Sequence, residues 1–159
     1  MYQYKIMFVC HGNICRSPMA EFIFKNMLEE RGLAKKVYVS SSATSTEEIV
    51  CGVGNPVYPP AQRELKKHGL DVGEKRAVQL KIDDYDKYDL FVVMDGNNMR
   101  NALRIFGKDP DNKLSRMMVF TSRGGDVADP WYTGDFSTTY RDISDGCLGL
   151  LDFILARIS

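Results

Sequence analysis

Short apolar runs alternate along the chain with longer stretches of helical periodicity. Ile6 to Val9 is a continuous apolar run, the pattern of a strand buried on both faces. Ser17-Pro18 then reads as a helix start, with the serine as cap and the proline at the first helical position. Met19, Phe22, Ile23, Met27 and Leu28 follow at helical spacing until Gly32 stops them. Val37 to Ser41 predicts a second strand, the stretch with Gly52, Gly54, Pro56, Pro59 and Pro60 an extended loop, and Ala61 to His68 a helix. Leu90 to Met94 predicts another strand, Asn97 to Phe106 a helix that ends at Gly107, and Met117 to Thr121 the fourth strand. After a loop from Ser122 to Phe136, the residues Tyr140, Ile143, Cys147, Leu150, Leu151, Ile154 and Ile158 form one apolar stripe on a last helix.

Strands that alternate with helices predict an α/β fold with a parallel sheet and right-handed crossovers. At 159 residues the chain is the size of one domain, and no repeat or linker divides residues 1–159. In such a sheet functional groups gather beyond the carboxyl ends of the strands. The loop after the first strand begins at Cys10, and the loop after the predicted fourth strand holds Asp126 and Asp129, so these segments are expected to meet.

Charge narrows the partners. Twenty-one basic residues balance twenty-one acidic ones, so no broad positive field is available for nucleic acid or an anionic membrane. The apolar run that ends at Cys10 is too short for a signal peptide or a membrane span, which predicts a cytoplasmic protein. The four cysteines, Cys10, Cys15, Cys51 and Cys147, read as reduced thiols. No C-x2-C pair occurs, and His11 and His68, the only histidines, lack ligand spacing, so no metal is expected.

The run Cys10-His11-Gly12-Asn13-Ile14-Cys15-Arg16-Ser17 lies between a buried strand and a helix amino terminus, where unpaired N–H groups and the helix dipole favour an anion. Gly12 and Asn13 tolerate left-handed backbone angles, so the loop is expected to curl and turn the N–H groups from His11 to Arg16 inward around a phosphate. Arg16 adds a planar, bidentate grip on two phosphate oxygens. The same positive surroundings favour a thiolate at Cys10, a good nucleophile, with Ser17 placed to donate a hydrogen bond to it.

The C-x5-R-S run from Cys10 to Ser17 resembles the signature of the low-molecular-weight protein tyrosine phosphatases. The likeness extends to Val39-Ser40-Ser41-Ser42-Ala43-Thr44-Ser45, Gly54-Asn55-Pro56, Lys66-Lys67-His68-Gly69, Val93-Met94-Asp95 and Asp129-Pro130-Trp131-Tyr132. The resemblance implies a single three-layer domain with a four-stranded parallel sheet flanked by helices, no cofactor, and a phosphocysteine intermediate. It implies Cys10 as nucleophile, Arg16 as transition-state clamp and Asp129 as general acid and then base. It implies that Asn13, Ser17, Ser41 and His68 support the loop, that Trp131 and Tyr132 wall the entrance beside an aryl substrate, and that Cys15 can join Cys10 in a protective disulfide. The expected partners are a phosphotyrosine protein or a small aryl phosphate, met by a monomer, with a weak dimer as the alternative.

From composition alone Asp129 reads as a turn residue before Pro130 rather than as a catalytic acid, with Asp126 as its rival, and His68 as a helix-end imidazole. His11 stands where several members of that family carry an apolar side chain, and Thr46-Glu47-Glu48 where some place an aromatic one, so a more polar, acidic lip is expected. Three other activities compete. A thiol-relay arsenate reductase needs further cysteines, and the chain has none between Cys51 and Cys147. A phosphoarginine phosphatase carries a threonine where this chain has Ile14. A nucleotide-binding protein lacks support, because Gly52-Val53-Gly54 has no third spaced glycine and Gly107-Lys108 is followed by Asp109.

Overall fold

A computed structural model describes the whole chain, Met1–Ser159. Its elements in order are β1 (Tyr4–Cys10), α1 (Arg16–Glu30), β2 (Val37–Ala43), β3 (Ile49–Val50), β4 (Val53–Gly54), α2 (Pro59–Lys66), α3 (Asp84–Lys87), β5 (Leu90–Val93), α4 (Gly96–Phe106), β6 (Leu114–Arg116), a 3-10 turn (Met117–Phe120), α5 (Pro130–Thr133) and α6 (Phe136–Leu155). Four strands form one parallel sheet in the order β2-β1-β5-β6, and β3 and β4 make a separate antiparallel hairpin. Three layers result from the period of two along the central strand. Ile6, Phe8 and Cys10 of β1 face a core shared with α1, α2 and α6, while Met7 and Val9 face a second core built from Tyr85, Phe91, Ala102, Phe106 and Leu114. Phe8 meets Phe24 of α1 edge to face at 5.9 Å, which fixes that helix over the carboxyl half of β1.

Several local expectations need correction: the stretch read as an extended loop holds the β3–β4 hairpin and, at Pro59 and Pro60, the start of α2, and α5 interrupts the loop from Ser122 to Phe136. Helix α1 begins at Arg16, with Cys15 as its cap residue and no side-chain cap bond, so Ser17 and Pro18 lie inside the first turn. Pro18 is tolerated there because the first-turn N–H groups have no helical partner anyway, and the Ser17 hydroxyl is turned to the Cys10 sulfur instead. The fourth strand is Leu114–Arg116, not Met117 to Thr121, whose apolar residues coil into the 3-10 turn.

The reason for that coil lies on α6. A Cβ built on Gly149 would sit 1.9 Å from the Phe120 carbonyl oxygen, and one on Gly146 would sit 2.4 Å from the Met117 sulfur. The two glycines let the turn pack its backbone directly on the helix, so Met117 and Met118 are buried from a turn rather than from a sheet. Gly149→Ala is expected to lower stability by about 3 kcal/mol, roughly 6–12 °C in Tm, because backbone rather than a flexible side chain must yield. Thermal melting against an alanine variant at exposed Leu148 checks this.

Candidate active site

Strand order places the topological switch between β1 and β5, since the chain leaves β1 toward β2 on one side and continues from β5 toward β6 on the other. Both strands end at chemistry: β1 in Cys10, and β5 in Val93, which Met94 and Asp95 follow. The loop from β1 turns sharply at Asn13, the one residue of the loop in the left-handed region (φ 59°), and Gly12 does not share that conformation. A Cβ at 12 would stand 3.2 Å from Glu48 Cγ, so a side chain there would have to displace that of Glu48 by a few tenths of an ångström. The turn brings the Asn13 N–H to 3.3 Å from the Cys10 sulfur, and the Ser17 hydroxyl lies 3.0 Å from the same atom.

Arg16 is 2 % exposed, and its guanidinium is held at several points. Nη1 donates to Asp95 Oδ2 at 2.7 Å and to the Val127 carbonyl at 2.9 Å, which uses both of its protons. Nη2 makes only a long 3.4 Å bond to Asp129 Oδ2. The Nε–Nη2 edge is therefore the fork left for two oxygens of an anion. Burial opposes the Arg16 charge, but Cys10, Asp95 and Asp129 outweigh it and hold the guanidinium above its ordinary value. Asp95 is itself fixed, because its other oxygen caps α4 by accepting the Asn98 N–H at 2.7 Å.

Asp129 performs the turn role and faces the cleft as well. Its Oδ1 caps α5 from the Trp131 N–H at 3.0 Å with Pro130 in the first turn, while Oδ2 points at Arg16. Asp126, the rival, is paired on the surface with Arg116 at 3.1 Å and does not line the cleft. The loop that carries both is docked just beyond β5 through Val127 N–H to the Met94 carbonyl at 2.8 Å, and it meets the Cys10 loop through the Arg16 bonds to Val127 and Asp129.

The cleft has a volume of about 130 Å3, with Cys10 and Arg16 among its lining residues. Ile14 and the buried Cys15 thiol line it too, and burial, with the Cys10 and Asp129 charges adding to it, pushes that thiol up and keeps it protonated. Trp131 is half exposed, one side on Tyr58 with ring centres 4.8 Å apart, so it both packs the loop and walls the cleft. Tyr132 stands almost free in solvent beside it. The lip is polar: His11 Nε2 pairs with Glu47 at 3.1 Å, and half-buried Glu48 accepts from Asn55 Nδ2 at 3.0 Å.

Of the expected supporting residues, Asn13, Ser17 and Ser41 form one hydrogen-bonded cluster behind the sulfur. His68 does not join it. Its ring stacks on Tyr140 of α6 at 3.6 Å and bonds Glu64 one turn back on α2, because the end of that helix packs on α6 rather than on the loop. Residues the sequence reading passed over are Glu21, Lys75 and the Val127 carbonyl, and Asp95 as the partner of Arg16. Only Asp95 carries a local signal, an acid between a buried strand and a helical run.

Comparison with known proteins supplies the family and the fold likeness. The family model described as low molecular weight phosphotyrosine protein phosphatase matches residues 5–158. The low molecular weight protein-tyrosine-phosphatase YfkJ of Bacillus subtilis (strain 168) is 33 % identical over 148 residues, 92 % of each chain. The low molecular weight phosphotyrosine protein phosphatase of Gallus gallus is 34 % identical over 152 residues, covering 92 % of this chain and 93 % of its own. The crystal structure of YfkJ superposes with a TM-score of 0.90 over 96 % of this chain and 95 % of that one. A YwlE arginine phosphatase structure, 25 % identical, reaches 0.82 over 95 % of each chain. The chain belongs to the low molecular weight phosphotyrosine protein phosphatase family.

Proposed function

We propose that the protein hydrolyses phosphotyrosine and small aryl phosphate monoesters in two steps, with Cys10 as nucleophile. The carrying observation is that Cys10, Arg16 and Asp129, the last from 113 residues beyond Arg16, line one small cleft with the Arg16 fork free toward it. In the first step the Cys10 thiolate attacks phosphorus in line with the leaving oxygen, the P–O bond breaks, and Asp129 gives its proton to the departing phenolate. In the second, the Asp129 carboxylate takes a proton from water as that water attacks the phosphocysteine, the P–S bond breaks, and orthophosphate leaves with the thiolate restored. Arg16 and the N–H groups of residues 11–16, apart from that of Asn13, which is turned to the sulfur, hold the equatorial oxygens throughout.

Ile14 gives the cleft an apolar contact and Trp131 and Tyr132 an aromatic wall, which suits a phenyl ring better than the short, polar stem of phosphoserine. Phosphoarginine is the second reading, favoured by the likeness to a YwlE arginine phosphatase and by Glu48 in the lining, whose carboxylate suits a guanidinium. Turnover of phosphotyrosine, phosphoserine and phosphoarginine peptides, with Cys10→Ser as control, decides between them. Phosphotyrosine is expected to lead in kcat/KM by at least about tenfold, the discrimination of one well-fitted apolar contact; faster phosphoserine hydrolysis would remove the aryl reading.

None of the four thiols is in a disulfide, and no helix is long and apolar enough to cross a membrane. We place the reaction in the reducing cytoplasm, carried out by a monomer. Cell fractionation and sedimentation check these two points.

A further inference from the structure

Behind the nucleophile loop lies a run of buried polar groups that the proposed reaction does not touch. Asn13 is fully buried, and its Oδ1 accepts the Val78 N–H at 3.0 Å, which fixes the orientation of the amide. Its NH2 group then donates to Ser17 Oγ at 2.7 Å and to Ser41 Oγ at 2.9 Å. Both hydroxyls thus accept from Asn13, and each must send its own proton elsewhere. Ser41 gives its proton to Glu21 Oε1 at 2.6 Å. For Ser17 the acceptors in reach are the Cys10 sulfur at 3.0 Å and the Ser42 carbonyl at 3.5 Å, and the shorter contact directs its proton at the sulfur.

The far end of this relay is a carboxylate that is 5 % exposed, and a charge so placed requires counter-charge. Two lysines supply it. Lys25, one turn along α1, donates to Glu21 Oε2 at 2.5 Å from a side chain that is 44 % exposed, whereas the Lys75 side chain, on the Oε1 side, is only 13 % exposed. Lys75 Nζ stands 3.7 Å from Glu21 Oε1 and donates to the Ser41 carbonyl at 3.0 Å, so one ammonium clamps both the acid and the strand that present the relay. Burial pulls the Lys75 ammonium down from its ordinary value, with Glu21 opposing. Val78, which fixes the Asn13 amide, lies three residues further along the same irregular segment.

We propose that Glu21 and Lys75 are positioning residues for the nucleophile: the buried pair locks Ser41, and through Asn13 it keeps the Ser17 hydroxyl proton aimed at the Cys10 sulfur. The inference rests on the reading of Cys10 as nucleophile. Without Lys75, Glu21 keeps Lys25 on Oε2, but Oε1, the oxygen that Ser41 donates to, loses its neighbouring ammonium, and the Ser41 carbonyl loses its clamp, so the Ser41 hydroxyl is held less firmly. Other charged or titratable groups face Cys10 as well: Arg16 and Cys15 from its own loop, Asp129 from the opposite one, and His11, Glu47 and Glu48 at the mouth. Glu21 reaches the sulfur through Ser41, Asn13 and Ser17, and Lys75 does so as well as by its direct charge interaction with Cys10, which the Ser17→Ala background separates from the relay.

The test combines Lys75→Met and Lys75→Arg with Ser17→Ala in a double-mutant cycle. Two rates are read: kcat/KM on p-nitrophenyl phosphate, and, with no substrate present, alkylation of Cys10 by iodoacetate from acid to neutral pH, followed at that residue by mass spectrometry. Lys75→Met is expected to slow both by about tenfold, with the turnover loss mainly in kcat, while Lys75→Arg recovers to within about threefold. In the Ser17→Ala background Lys75→Met should add less than about twofold, because the relay is already cut. Wild-type rates for Lys75→Met, or an undiminished effect without the Ser17 hydroxyl, would overturn the proposal. Should Lys75→Met fail to fold, Glu21→Gln is read in its place, with slower Cys10 alkylation of at least about threefold expected and an unchanged rate sinking the idea. Alkylation needs no phosphate ester, so a protein that fails to turn over any ester but shows this cycle removes the phosphatase reading and leaves the relay standing.

Discussion

Cys10→Ser is expected to abolish turnover of aryl phosphates, with a fall in kcat of at least about 10⁴-fold, while the fold and phosphate binding persist. The reason is chemical rather than steric. Sulfur at this position accepts from the Asn13 N–H and from Ser17, and it faces a guanidinium whose other edge is fixed to Asp95 and Val127. A serine oxygen fits the same space and accepts the same bonds, but a hydroxyl does not ionise near neutral pH. Arg16 and the loop N–H groups, the proposed anion cradle, are untouched, so inorganic phosphate should still bind when titrated calorimetrically. Retention of even a tenth of the wild-type kcat would show that another group attacks phosphorus.

Asp129→Asn should slow phosphotyrosine hydrolysis by about 10²–10³-fold, the range for loss of one general acid, and slow p-nitrophenyl phosphate far less. A phenolate is a poor leaving group and needs the proton, whereas nitrophenolate leaves well without it. Asparagine is the informative substitution because the carboxylate also caps α5 through the Trp131 N–H. Alanine would remove cap and acid together, at about 1 kcal/mol for the cap, and asparagine keeps the cap. Asp126→Ala should stay within about twofold, since an exposed pair with Arg116 contributes little. Equal losses at 126 and 129, or equal losses on the two esters for Asp129→Asn, would remove Asp129 from proton transfer.

The apolar runs at β1 and β5 and the stripe of α6 were legible because each is a local repeat that matches its own burial. The run from Met117 was misread for the same reason. Apolar residues in succession fit a strand, but Gly146 and Gly149, some thirty residues on, let α6 receive the backbone of a turn there. The sheet took its fourth strand from Leu114–Arg116, in which Leu114 alone is fully buried, a pattern with no hydrophobic period to detect. The hairpin of β3 and β4 went unread because two-residue strands are too short to show alternation.

The same division runs through the site. Loop chemistry from Cys10 to Ser17 is contiguous, so spacing and residue type alone marked an anion cradle between a strand and a helix, and likeness to a known family singled out Asp129. What the chain order could not reveal is who holds those groups. Arg16 finds Asp95 79 residues away, Ser41 finds Glu21 across β2 and α1, and Lys75 closes on both from an irregular segment, while the expected His68 turns to Tyr140. Sequence alone determined the secondary elements with a regular period and the chemistry carried by one short loop, because both depend on neighbours a few residues apart. Only the tertiary structure decided the partners of the buried charges, because a hydrogen bond between distant segments is set by how helices and strands pack and leaves no periodic trace in either segment.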